Sequence, residues 1–261
     1  MHLDITTDPG LDYHESFEAF KRERDIGYVL AFSGGADDST MLATSMIETL
    51  SKSVSQEEAR RLVDQASSHM VRSVVEAVLK PLRGFRIAVQ TGGTKWGVPK
   101  VATTVAKELG FTTIGIYPHA AIRGKDRTLS PQLLDLSICV HSSIGDSRWG
   151  NESPLFAHCL DGAIIIGGGA GTMVEVAHLL KINEARDMTL KKMIIPIIGT
   201  GGTADQVPSF PGKPQVMSTC LPSRPITNGA EASSFLRREV FKETYGDSYD
   251  VFPHNYDEGD T

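Results

Sequence analysis

The chain has few means of being covalently stapled, of spanning a bilayer or of wrapping a polyanion. Its three cysteines, Cys139, Cys159 and Cys220, are isolated. No C-x-x-C pair exists and an odd count gives no disulfide framework, so a reducing, cytoplasmic setting is the expectation. No apolar run approaches the roughly 20 residues that cross a bilayer. Met1-His2-Leu3-Asp4 has neither a basic start nor an apolar core, so neither a membrane span nor a secretory signal is expected. The net charge of −6 argues against a broad footprint for nucleic acid or acidic lipid. It leaves room for a local anion site built from backbone amides. The histidines show no H-E-x-x-H or comparable spacing, so neither a metal nor a cofactor is expected.

What the chain has instead is glycine at the ends of apolar runs. Residues 1–25 are polar and charged and read as a peripheral helix or arm. Residues 28–32 read as a first buried strand. Ser33-Gly34-Gly35-Ala36 then turns the chain, and Asp37, Asp38 or Ser39 can cap a helix over about 40–51. Ser55-Gln56-Glu57-Glu58 is a capping box. It opens a long helix with Leu62, Ala66, Met70, Val74 and Val78 near one stripe and Pro81 limiting its end. Residues 86–90 form a second strand, and a helix from Val98 has Pro99 in its first turn and Gly110 beyond its end. Further strands are expected over 112–117, 134–140, 163–166 and 193–198, with a helix over about 153–161. The loop over 118–133 carries Arg123, Lys125 and Arg127, a charge run that reads as a solvated face. The proline-bearing stretch 205–228 reads as an ordered loop and 231–245 as a last helix. Apolar strands alternating with helices are the signature of an α/β protein, a doubly wound, mainly parallel sheet covered on both faces. One domain over 26–245 is expected, with an acidic, mobile tail over 246–261.

Ligands of such sheets bind beyond the carboxyl ends of the strands. Four strand ends carry glycine or small polar turns: Ser33-Gly34-Gly35, Thr91-Gly92-Gly93-Thr94, Gly167 to Thr172, and Gly199 to Thr203. Glycines let a ligand approach the backbone, and a turn leading into a helix aims N–H groups at an anion. Glu175 follows Thr172 by three residues. The pair reads either as a capping box or as a phosphate ligand with a reactive acid beside it, and the glycines before it favour the second. Ser33 and Thr94 read as phosphate ligands or as turn residues. Trp96 and Trp149 lie in strand-end loops, where an indole can stack on a base or cover the core edge. Arg148 and Glu152 flank Trp149, and the arginine can clamp a phosphate or ribose or pair with a solvent-facing acid.

Gly168-Gly169-Ala170-Gly171-Thr172-Met173-Val174-Glu175 resembles the G-G-x-G-T-x-x-E motif of the LOG (SLOG, lysine-decarboxylase-like) superfamily. Thr91-Gly92-Gly93-Thr94-Lys95-Trp96-Gly97-Val98 resembles that superfamily's second glycine turn, in the form found in the branch related to the N-terminal region of TRPM channels. The resemblance covers about residues 26–203. It implies a Rossmann-like three-layer sandwich and a nucleotide, ADP-ribose-like or sugar-phosphate ligand held by Ser33, Gly34, Gly35, Gly92, Gly93, Thr94, Gly97, Gly168, Gly169, Gly171 and Thr172. In the enzymatic branch it implies hydrolysis of the N-glycosidic bond of a nucleoside monophosphate, with Glu175 as the catalytic glutamate and Arg148 as a positional candidate beside it. It also implies a homodimer or higher homo-oligomer. Gly167 replaces the usual proline and Thr94 a glycine of the enzymes. The alternative is a sensor of a nucleotide-derived signal without turnover. A third reading rests on Ser33 to Ser39, which resembles the S-G-G-x-D-S loop of ATP-pyrophosphatase enzymes with one residue inserted or a serine replaced by Asp38.

Overall fold

The computed structural model describes residues 2–7, 13–35, 41–123, 128–129, 131–143, 145–187 and 191–241. The proposed caps Asp37, Asp38 and Ser39, and with them the ATP-pyrophosphatase-like loop, lie outside these residues, as do Lys125, Arg127 and the acidic tail. Seven strands form one sheet: β1 (Leu3–Thr7), β2 (Tyr28–Gly34), β3 (Ile87–Thr91), β4 (Thr112–Pro118), β5 (Leu136–Val140), β6 (Gly162–Ile166) and β7 (Met193–Pro196). Their order is β1-β5-β4-β3-β2-β6-β7, and every pairing is parallel. The Rossmann-like, three-layer α/β architecture is therefore present.

Alternation along the strands divides the core in two. Val29, Ala31, Ala163 and Ile165 pack with Phe17 and Phe20 of α1 (Tyr13–Glu23), Phe156 of α5 (Ser153–Cys159) and Val176 of α6 (Ala170–Glu184). Tyr28, Leu30, Phe32, Ile164 and Ile166 pack on the other face, against α3 (Gln56–Leu79), α4 (Gly97–Glu108) and α9 (Gly229–Phe235). A period of two in strands buried on both faces produces this split without any polar side.

Several expectations are corrected. The first 25 residues hold an edge strand as well as a helix: Leu3-Asp4-Ile5-Thr6-Thr7 alternates apolar and polar, and β1 pairs with β5 from Leu3↔Leu136 to Thr7↔Val140. Helix α3 begins at the expected cap, Ser55 accepting from the Glu58 N–H at 3.2 Å. Its buried stripe is Ala59, Val63, Val71, Val75 and Val78, with Met70 and Ala66 exposed. Val78 is common to both stripes; Val71 and Val75 replace Met70 and Val74 because the packing of α4 and α9 on α3 sets the buried face, a choice that one helix's apolar spacing does not fix. The proline-bearing stretch contains α8 (Pro214–Cys220), and α7 (Gly202–Gln206) runs into its start. Pro214 is the first residue of α8, a position where its missing N–H costs nothing. Helix α2 (Met41–Leu50) falls where expected.

From β2 the chain steps outward through β3, β4 and β5, then returns across the sheet to place β6 on the other side of β2. The crevice of a doubly wound sheet opens where the winding reverses, here above the adjoining ends of β2 and β6.

Candidate functional site

Strand β2 ends in Ser33 and Gly34, paired in register with Ile165 and Ile166 of β6. Ser33 belongs to the same alternating set as Val29 and Ala31 and so faces α6. Its buried hydroxyl donates to the Glu175 carboxylate. The two glycine motifs, 142 positions apart in the chain, thus meet through a side-chain hydrogen bond. Ser33 is thereby tied to the acid.

The capping-box reading of Thr172 and Glu175 is corrected. Helix α6 starts at Ala170 with Gly169 as its cap, so Thr172 lies in the first turn and Glu175 beyond it. The helix begins earlier than a Thr172 cap requires because Gly167 and Gly168 adopt φ of +57° and +98° and turn the chain at once. That early start frees the Glu175 carboxylate for Ser33 and leaves the first-turn N–H groups of α6 without intrahelical partners. Gly169 provides no side-chain cap for them.

The glycines of this turn do different work. A Cβ on Gly168 would stand 2.5 Å from Thr172 Oγ1, so Gly168 serves packing as well as a left-handed backbone. A Cβ on Gly169 or Gly171 would meet no atom within 4 Å. The open side of the turn is therefore at Gly169 and Gly171. Gly167 is braced from behind, its N–H donating to Thr200 Oγ1 at 2.8 Å. Thr203 clamps the same turn, its N–H donating to the Gly168 carbonyl at 2.9 Å and its hydroxyl to the Gly169 carbonyl at 2.9 Å. The fourth glycine turn differs from the expectation of an anion loop: the Gly199 and Gly201 N–H groups both donate to Asp205, at 2.7 and 3.2 Å. It is a brace for the third.

The β3 turn completes the rim. A Cβ on Gly34 would collide with the Ile166 carbonyl and Val98, and one on Gly93 with Tyr117 of β4, so both are positions of close approach between elements. Gly92 is less confined, a Cβ there meeting Pro99 at 3.9 Å. The Gly35 carbonyl accepts from the Val98 N–H at 3.0 Å and links the β2 turn to α4, which opens at Gly97 with φ of +55°. Thr94 is 3% exposed, and its hydroxyl has no partner among the described residues. A buried hydroxyl without a partner is costly.

Burial pushes the Glu175 carboxyl up to about 7; the Ser33 hydrogen bond opposes that shift, and the nearby Glu152 charge adds to it. Burial also raises Glu152, although its carboxylate accepts from the Gly150 N–H at 2.8 Å. Glu152, read from the sequence only as a neighbour of Trp149, is thus a second acid at the same place. It sits at the cap position of α5, whose packing against α6 no local pattern reveals. Arg148 and Trp149 are exposed, Trp149 at 47% and Trp96 at 46%. The Arg148 guanidinium forms no ion pair among the described residues, while the residue's backbone N–H donates to Asn151 Oδ1 at 2.6 Å. A feature the sequence reading missed is the stacked pair His119 and His141, 4.3 Å apart with planes at 26°. Each lies directly beyond a strand end, after β4 and after β5, and that position was the available signal.

Comparison with solved structures returns distant likenesses. TM1055, a structural-genomics target, is 16% identical, with a TM-score of 0.49, over 80% of this chain and 98% of that one. The Moco carrier protein of Chlamydomonas reinhardtii is 19% identical, with a TM-score of 0.47, over 80% and 95%. DNA processing protein A of Streptococcus pneumoniae is 15% identical, with a TM-score of 0.42, over 81% and 62%. Likenesses at this level carry no argument about ligands. No curated protein matches the sequence. The family model for the SLOG cluster4 family matches residues 64–206, more than half of the chain, and spans the β3 turn, the acids Glu152 and Glu175 and the α6 glycine turn. Those are the elements that build the crevice, and the chain belongs to the SLOG cluster4 family.

Proposed function

We propose that the crevice binds a nucleotide or a related sugar phosphate and hydrolyses its N-glycosidic bond. The observation that carries this reading is the Glu175 carboxyl, pushed up to about 7 by burial while held by the Ser33 hydroxyl beside an open glycine turn. A group poised near neutral pH is suited to handling a proton. The phosphate would lie on the open side of Gly169 and Gly171, against the first-turn N–H groups of α6 and near Thr172. Gly92 and the Thr94 hydroxyl would take polar atoms of the ligand, and Trp149 or Trp96 would stack on the base. As the C1′–N bond breaks, the base takes a proton from solvent as it leaves and the ribose becomes cationic. Glu175 in its ionised form would stabilise that cation and then take a proton from the water that adds to C1′. Glu152 would lend the charge that keeps the pair's proton affinity high.

The second reading is a sensor that binds without turnover. The exposed Arg148 guanidinium favours it, because the clamp that the enzymatic branch implies is not drawn onto Glu175. Incubation with a panel of nucleoside monophosphates and ADP-ribose, followed by chromatography for released base, separates the two. Release that disappears in Glu175→Gln supports hydrolysis. Saturable binding without release supports the sensor.

A further inference from the structure

A cavity of about 200 Å³ lies at the opposite end of the strands from the glycine turns, between α1, the C-terminal end of α5 and the segment leading into β7. Its walls bring together Lys21, Arg186 and Lys192 with the imidazoles of His14 and His158, against the carboxylates of Glu18 and Asp161. Both carboxylates have work in the fold. Glu18 pairs with Lys21 at 3.4 Å, and Asp161 accepts from the Val29 N–H at 2.8 Å while facing Lys192.

Lys192 is 3% exposed. Its ammonium donates to the His158 carbonyl at 2.8 Å and to the Leu160 carbonyl, and so caps the end of α5. An ammonium has three donors, and two are used there. Burial lowers Lys192 to about 8, partly offset by Asp161. His158 packs edge-on to Tyr13, with centroids 6.5 Å apart, and lies 6.3 Å from His14. Burial and then the charges of Lys192, His14 and Arg186 hold its imidazole below the ordinary value. Burial is the main cause for both groups, and the part of the His158 shift that comes from Lys192, His14 and Arg186 is what an entering anion would relieve. Cys159, also on the wall, is raised to about 12 and stays a thiol.

We propose that this cavity is a second ligand site, distinct from the crevice, that takes a small oxyanion of the phosphate class, free or as the head of a phosphomonoester. Its size sets the limit. At about 200 Å³ it falls below the roughly 300–1,000 Å³ of sites for drug-sized ligands, so it admits a tetrahedral anion and not a nucleotide. The site needs no assumption about the chemistry of the crevice.

The test uses the full chain, with proton NMR of the histidine rings followed through pH titrations. Inorganic phosphate, glycerol 2-phosphate and chloride are compared at matched ionic strength. Phosphate or the ester is expected to raise the His158 pKa by on the order of half a unit or more in a saturable manner, because it places negative charge beside the imidazole. A shift with inorganic phosphate assigns the free anion, and a shift confined to the ester assigns the ester. Arg186→Gln or His14→Gln is expected to weaken the effect roughly tenfold in concentration, or about 1.4 kcal/mol. Gly169→Val should leave it unchanged. A His158 titration that is the same in phosphate, ester and chloride overturns the proposal. So does an effect of equal affinity in wild type and both folded variants.

Discussion

At the residue scale, Glu175 couples chemistry to stability with a defined sign. Its folded value near 7 lies above its unfolded value, so the ionised form is penalised in the native state. Protonation is favoured more in the folded chain, and this contribution is fully present below the unfolded value near 4.5 and lost as pH rises through 7. Glu175→Gln keeps an acceptor for the Ser33 hydroxyl and cannot ionise. It is expected to stabilise the protein at pH 8 by about 1–3 kcal/mol, to change little at pH 4.5, and to lower any turnover roughly 10²–10⁴-fold. Urea unfolding at the two pH values checks the stability; an equal effect at both would remove the buried-carboxylate account. Two neighbouring glycines give a sharper contrast. Gly168→Ala places a Cβ against Thr172 in a left-handed backbone and should destabilise by about 1–3 kcal/mol. Gly169→Val meets open space and should spare the fold while abolishing ligand binding. Thermal melts beside calorimetric titrations distinguish them, and undiminished affinity in Gly169→Val would remove this turn from the site.

At the element scale, the helices around the crevice are pinned at their ends by single side chains. Asn183, fully buried in the last turn of α6, donates to the Lys192 carbonyl and accepts from the Lys192 N–H, both at 2.8 Å. Lys191 donates to the Asn183 and Arg186 carbonyls, capping α6 as Lys192 caps α5. Asn183→Leu would leave both backbone groups of Lys192 unpaired and is expected to cost about 2–4 kcal/mol in urea unfolding. Ser55→Ala removes an exposed cap and should cost about 1 kcal/mol. The difference reflects burial: water replaces the Ser55 hydroxyl and cannot reach Lys192.

At the scale of the whole molecule, strand order decides which loops share a rim. The tryptophans lie in loops after β3 and β5, on the rim that also carries Glu175, and each is about half exposed. A nucleotide bound over the β2–β6 junction should therefore quench their emission. Trp149→Ala should weaken binding by about 1–3 kcal/mol, and Trp149→Phe by less. Saturating ligand that leaves the emission and near-UV dichroism of both tryptophans unchanged would exclude stacking. No helix of the described residues is long and apolar enough to cross a membrane.

The sequence alone determined the alternation of buried strands and helices, because a strand covered on both faces must be apolar throughout, as residues 28–32 and 163–166 are. It also located the glycine turns and Glu175, since a left-handed backbone such as that of Gly167 and Gly168 favours glycine. The edge strand β1 was hidden because a five-residue polar alternation is stable only once β5 is beside it. Only the tertiary structure decided that Ser33 serves Glu175, that Glu152 faces the same carboxylate, that Asp205 consumes the fourth turn, and that His14, His158, Arg186 and Lys192 share a cavity. Each of these depends on sheet order and helix docking, which set distances between residues far apart in the chain and leave no local spacing to read.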